Sequence, residues 1–224
     1  MYICNKIITV QDKIIDVKRF PDGTQMLLDF EVEWLYPEKS ESIISCEISA
    51  EMIEEKLLEM KEMPVAVYIT SPDYLGNVAD VEKIAVVCHK HNVLLLCDNA
   101  HGAYLNFLKE NKHPIALGAD MCCDSAHKTL PVLTGGAYLH ISKNAPKSYC
   151  ENARRFLSVF ASTSPSYLIL QSLDMANIYL TSYPKKLNAF IEKLSSLVNE
   201  LRCLGFDIVH NEPLKLTFMT KSYG

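Results

Sequence analysis

Short, uninterrupted apolar runs alternate along this chain with longer stretches in which apolar residues recur every three or four positions. Val65 to Ile69, Val93 to Cys97 and Ala119 to Cys123 are too short for helices, and their continuous apolar character predicts strands covered on both faces. Gly136 to Ile141 forms a further strand after the Gly135-Gly136 break, and Glu31 to Tyr36 alternates as a strand that stops at Pro37. Polar Glu, Lys and Ser residues follow Pro37 and read as loop. A helix is expected after Ser49, a plausible N-cap, with Met52, Ile53, Leu57 and Met60 on one face before Pro64. A second should start near Asp80, with Ile84, Val87, Cys88 and His91 facing inward.

Strand, helix, strand, helix in this rhythm predicts an α/β fold, a three-layer α/β/α arrangement around a mostly parallel sheet. Beyond Ala161-Ser162-Thr163-Ser164-Pro165 the pattern turns helical, first with Leu168, Leu173 and Ile178. From Pro184 a stripe of Leu187, Phe190, Ile191, Leu194, Leu197, Val198 and Leu201 marks a longer helix, and Gly205 is a fitting stop. The division expected is an unassigned or degenerate N-terminal segment at 1–30, a cofactor-binding large domain at 31–183, and a long helix opening a further small domain at 184–224.

At 224 residues and 49% hydrophobic, the chain is long enough for one large domain with a sizeable core. Its net charge of −5 offers no basic stripe, so nucleic acid is not an expected partner. No apolar run reaches the roughly twenty residues of a membrane span. Lys6, Asp12, Lys13 and Asp16 interrupt the N-terminal apolar residues, which argues against a secretion signal. The eight scattered cysteines lack a Cys-x-x-Cys pair and suit reduced thiols in the cytoplasm. Cys88-His89-Lys90-His91 and Cys122-Cys123 have neither the spacing nor the count of a closed metal site, so no metal is expected.

The chemistry expected lies where two of the apolar runs end. Asp98-Asn99-Ala100-His101-Gly102 closes one, and Ser125-Ala126-His127-Lys128 follows another. An amine that condenses with an aldehyde and a carboxylate that keeps a pyridine nitrogen protonated are the two groups a pyridoxal phosphate enzyme needs. Ligands of open parallel sheets sit beyond the carboxyl ends of the strands, which would bring Tyr74, Asp98 and Ser125 to Lys128 to one crevice. Partial burial among Leu130, Pro131, Val132 and Leu133 would lower the pKa of Lys128, as that role requires. Against these stand blander roles: a solvated lysine, a capping Asp98 or Ser125, and structural histidines at 101 and 127. No Gly-rich nucleotide loop is present.

Four segments, Ile69-Thr70-Ser71-Pro72-Asp73-Tyr74-Leu75-Gly76, Asp98-Asn99-Ala100-His101-Gly102-Ala103, Ser125-Ala126-His127-Lys128-Thr129-Leu130-Pro131 and Ser162-Thr163-Ser164-Pro165-Ser166-Tyr167, resemble the Orn/Lys/Arg decarboxylase family. The resemblance runs from about Glu31 to Gly224. It implies the large domain of the aspartate aminotransferase fold, fold type I of the pyridoxal phosphate enzymes. By the same resemblance Lys128 would carry the cofactor, Asp98 would pair with its ring nitrogen, and Ser125 and His127 would contact its phosphate region. Ala100 would pack on the ring with His101 close by. The Ser162-Thr163 turn would approach a neighbouring subunit's cofactor, implying a homodimer. The substrate would be a basic amino acid, arginine, lysine or ornithine, decarboxylated to a polyamine precursor.

The chain departs from the family pattern at both ends. A Gly-Ser-Thr-type phosphate loop and a ring-stacking histidine are expected upstream, yet Asp22-Gly23-Thr24 is a poor substitute and Met1 to Phe20 matches nothing familiar. The chain stops near Lys221-Ser222-Tyr223-Gly224, where the family continues. It therefore reads as truncated at both ends, with weak cofactor affinity expected in isolation. Two alternatives accompany the decarboxylase reading: an inactive remnant that keeps the fold and a dimer surface, and an aminotransferase-like enzyme of the same fold.

Overall fold

The computed structural model describes residues 6–10, 31–37, 48–160, 163–209 and 211–219. Six strands form one sheet: β1 (Lys6–Val10), β2 (Glu31–Leu35), β3 (Ala66–Thr70), β4 (Leu94–Asp98), β5 (Met121–Asp124) and β6 (Tyr138–Ile141). Their order across the sheet is β2-β1-β3-β4-β5-β6. Every neighbouring pair is parallel except β5 with β6. The chain leaves β1 toward β2 and returns on the other side of β1 to β3, so the winding reverses between β1 and β3. Ligand sites of open sheets gather near such a reversal, beyond the strands' carboxyl ends.

The helices form where local signals agree. In α1 (Ala50–Glu59) the Ser49 hydroxyl accepts the Met52 amide at 3.2 Å, and Ile53 and Leu57 are fully buried. In α2 (Val81–Lys90) Asp80 accepts the Lys83 amide at 3.2 Å, while Val81, Ile84, Ala85 and Cys88 face inward. Both helices press on the sheet face that carries Val67, Ile69, Leu95, Cys97 and Cys122, and this is the main core. The metal-like run of α2 is used structurally. Cys88 packs in that core, His89 meets the buried Asp120 at 3.0 Å, and Lys90 and His91 pair with Glu54.

After β5 come a single helical turn, α3 (Ala126–Thr129), then α4 (Lys147–Phe160), α5 (Tyr167–Leu180) and α6 (Tyr183–Cys203), and a small hairpin of β7 (Ile208–Val209) and β8 (Thr217–Phe218). Pro184 lies in the first turn of α6, and Gly205 ends it at φ 92, letting the Phe206 amide reach the Leu201 carbonyl at 3.1 Å. A second apolar cluster joins Tyr104, Leu105, Leu130, Tyr183 and Leu187. The segment from α6 onward also reaches back through Glu212, which accepts the Tyr104 hydroxyl at 2.9 Å in a buried position.

Three sequence expectations change. Lys6–Val10, left unassigned, pairs as an interior strand between β2 and β3; its Ile-Ile-Thr-Val run was the available signal. β4, expected to be covered on both faces, buries Leu95 and Cys97 but leaves Leu94, Leu96 and Asp98 half-exposed, because Asp98's face opens onto the site. Phe190 and Leu197, expected on the apolar stripe of α6, are exposed, and Tyr183, Leu187 and Val198 are the buried residues of that helix. The Asp22-Gly23-Thr24 segment and Ser162 lie outside the described residues.

The core makes a direct prediction. Leu57→Ala should destabilise the chain by about 2–5 kcal/mol in urea unfolding, since the cavity forms where no solvent reaches. Val86→Ala, on the solvent side of α2, should change it by under ~0.5 kcal/mol.

Candidate active site

β4 and β5 run in parallel register with Asp98 opposite Cys123, so both chains leave the sheet side by side. Side chains two residues apart on a strand share a face. Tyr68 on β3 therefore lies on the Asp98 face, and its hydroxyl donates to Asp98 Oδ2 at 3.2 Å. Asp98 Oδ1 accepts the Ala100 amide at 3.0 Å. The carboxylate is thus held through both oxygens. Burial, with the Asp98 charge beside it, pushes the Tyr68 hydroxyl pKa well above its usual range, so Tyr68 remains a donor. Sequence reasoning missed Tyr68; its alternation with the buried Val67 and Ile69 was the signal.

The turn after Asp98 brings His101 toward α3, where Lys128 Nζ lies 3.2 Å from His101 Nε2. His101 also stands against Tyr74, with ring centroids 5.6 Å apart. Burial lowers the pKa of His101, the Lys128 and Lys215 cations lower it further, and Asp98 opposes them. A neutral imidazole nitrogen can accept a hydrogen bond from the lysine amine, which suits the short contact. The Tyr74 loop is pinned by Asp73, whose Oδ1 accepts the Leu75 and Asn77 amides at 2.8 Å each. Lys215 donates to the Tyr74 carbonyl at 3.1 Å.

Asp98, Ala100, His101 and Lys128 therefore come together, joined by Tyr68 and Tyr74. Lys128 is exposed, which corrects the expected burial among Leu130, Pro131, Val132 and Leu133: Leu130 and Val132 pack instead against the second core cluster. His127 is half-buried, with its Nδ1 donating to the Gly136 carbonyl at 3.0 Å. Ser125 precedes α3 without a side-chain capping bond, and its carbonyl accepts the Lys128 amide at 3.0 Å.

A second polar cluster escaped the sequence reading. Asp124, 3% exposed, faces the core side of the sheet and accepts from Asn99 Nδ2 at 2.7 Å, with His113 Nε2 and His140 Nε2 each 3.0 Å away. Its residues lie far apart in sequence, so no motif could announce it. Burial disfavours the Asp124 charge, yet hydrogen bonds from His113, His140 and Asn99 outweigh it and hold the carboxyl far below its usual range. The trio has the spacing of a metal-ligand set. However, His113 Nδ1 accepts the Ile115 amide at 3.3 Å, which leaves the ring proton on Nε2, pointing at Asp124. A cation would have to displace it.

Comparison with known proteins bears on this geometry. The Orn/Lys/Arg decarboxylase major-domain family matches residues 24–217, and the chain belongs to that family. It is 32% identical over 166 residues to the uncharacterised protein YaaO of Bacillus subtilis, covering 68% of this chain and 34% of that protein. It is 28% identical over 197 residues to an arginine decarboxylase of Halalkalibacterium halodurans, covering 81% of this chain and 39% of the relative. The chain thus spans well under half the length of these relatives. Among solved structures, serine palmitoyltransferase of Sphingomonas wittichii matches with a TM-score of 0.68 at 16% identity, over 98% of this chain and 53% of that one. Leishmania major threonine aldolase matches at 0.65 and 18% identity, over 92% and 60%. The fold is that of the fold type I pyridoxal phosphate enzymes, and pyridoxal 5′-phosphate is the cofactor that accompanies this family.

The electrostatics can be tested without a cofactor. Lys128→Ala removes a cation beside His101, so the His101 pKa should rise in an NMR titration of the ring. An unchanged titration would mean that the two groups do not meet in solution.

Proposed function

We propose that this chain carries the cofactor-binding part of a pyridoxal phosphate-dependent decarboxylase whose substrate is a basic amino acid: arginine, lysine or ornithine. The observation supporting this reading is the meeting of Lys128 and the Asp98 turn across His101 at 3.2 Å. The donor set fits the cofactor: a carboxylate held through both oxygens suits a protonated ring nitrogen, and an amine beside a neutral imidazole suits an aldehyde. When bound, pyridoxal phosphate supplies an electron sink for the pair released as carbon dioxide leaves.

Asp98 would hold the proton on the ring nitrogen, and Tyr68 keeps that carboxylate oriented. Lys128 would be the amine that holds the cofactor's aldehyde. His101, 3.2 Å from Lys128 Nζ, accepts a hydrogen bond from that amine and so orients it. The arginine decarboxylase relatives favour arginine among the basic substrates. The amine product would be a polyamine precursor.

The assembly we propose is a homodimer. α5 is apolar on nearly every side, yet Tyr167, Leu168, Met175 and Ile178 are all exposed, and on α4 Phe156, Leu157 and Val159 are exposed as well. Free thiols at Cys88, Cys97, Cys122, Cys123, Cys150 and Cys203 support a cytoplasmic setting. No helix among the described residues is long and apolar enough to cross a membrane.

Adding pyridoxal phosphate to the purified chain should produce the visible absorption band of lysine-bound cofactor, absent in Lys128→Ala. Release of labelled carbon dioxide from arginine, lysine or ornithine would then identify the substrate, and transamination without release would overturn the decarboxylase reading. In sedimentation, the chain should run as a dimer and Ile178→Glu as a monomer.

A further inference from the structure

Asn99 links the charged cluster behind the sheet to the site in front of it. Asn99 follows Asp98 and points the opposite way, into the core, where it is 0% exposed. Its amide nitrogen donates to Asp124 Oδ1 at 2.7 Å, and Asp124 is in turn gripped by His113 and His140. Its backbone is bound on both sides: the Asn99 amide donates to the Cys123 carbonyl at 2.9 Å, and the Asn99 carbonyl accepts the Gly102 amide at 2.9 Å. The turn that presents Asp98 is therefore fastened from behind to β5.

Gly102 shows how little freedom this arrangement leaves. A Cβ at position 102 would stand 1.8 Å from Asn99 Oδ1 and 2.7 Å from Leu105 Cδ1, so the glycine is required by its neighbours, Asn99 foremost, and not by its own backbone angle. Asn99 Oδ1 has no hydrogen-bond partner among the described residues. A buried amide that leaves its oxygen unpaired is costly, and its retention calls for an offsetting role. Its other end supplies one, a charge-assisted bond to a carboxylate enclosed in the core.

We propose that Asn99 is a positioning residue for Asp98. Anchored on the Asp124–His113–His140 cluster, it fixes the 98–102 turn so that the Asp98 carboxylate and His101 face the cofactor region before any ligand arrives. This proposal rests on the proposed function for its consequence, cofactor affinity. The anchoring itself is a property of the unliganded chain. Asp98 is aimed from the front by Tyr68 and Ala100, and from behind by Asn99, because successive residues of a strand point to opposite faces. Supporting groups of this kind hold a functional side chain within a few tenths of an ångström of its working position.

The test follows amide hydrogen exchange and cofactor binding in parallel. Asn99→Ala removes the link and leaves the cluster; Gly102→Ala displaces the same side chain; His140→Gln, at a half-exposed ring, loosens Asp124 without deleting it. In the unliganded chain, each should speed exchange of the Ala100 and Gly102 amides by about tenfold relative to the Leu95 and Cys97 amides of the same variant. Leu57→Ala, destabilised elsewhere, should speed the core amides together and leave that ratio unchanged. The dissociation constant for pyridoxal phosphate should rise by about tenfold in Asn99→Ala, and Asn99→Ala/His140→Gln should be no worse than Asn99→Ala alone, as coupled residues require. An unchanged exchange ratio in Asn99→Ala overturns the proposal, as does a multiplicative double variant. A parent chain that takes up no pyridoxal phosphate overturns the proposed function instead, while the exchange ratio still decides whether Asn99 anchors the turn.

Discussion

The parallel pairing of β4 with β5 is the constraint from which the site follows. Because Asp98 stands opposite Cys123, the two chains leave the sheet at one level and in one direction. One turns toward His101 and the other into α3, which brings Lys128 back to His101. A shift of one residue in this register would send Asp98 to the core face and Asn99 to the site, since side chains alternate strictly along a strand. The register is in turn held by the buried residues Leu95, Cys97 and Cys122, which pack beneath α1 and α2.

The two faces of the sheet end carry different electrostatics. On the core face, Asp124 is met by Asn99, His113, His140 and the Cys122 thiol, and its charge is stabilised despite burial. On the open face the contacts are pairwise, Tyr68 with Asp98 and Lys128 with His101, each at 3.2 Å, and Lys128 is exposed. A rigid charged cluster behind and an open set of reactive groups in front is an arrangement suited to a ligand that must be bound, reacted and released. The exposure of Lys128 belongs to the same logic. Its environment comes from His101 and the open crevice, not from the apolar residues that follow it in sequence.

The exposed apolar residues of α5 have a separate origin. A helix that is apolar all round has no stripe to turn inward, so the chain's own core can cover only one side of it. Ala176 takes that side, and Tyr167, Leu168, Met175 and Ile178 are left uncovered. This is the part of the structure that points beyond a single copy of the chain.

Local patterns were sufficient for much of the architecture. Ser49, Asp80, Pro184 and Gly205 each announced a helix boundary that formed, because capping and positive φ are decided within a few residues. The apolar runs ending at Asp98 and Ser125 announced the strands and the rim where Asp98, Ala100, His101 and Lys128 meet. What no local pattern could carry were relations between distant segments. The insertion of Lys6–Val10 between β2 and β3, the approach of Tyr68 to Asp98, the exposure of Lys128 and the gathering of His113, Asp124 and His140 all arise when strands pair across long stretches of chain. Sequence by itself determined which segments become strands and helices and where two reactive groups leave the sheet; tertiary structure decided their partners and exposure, because those depend on which residues of other segments arrive beside them.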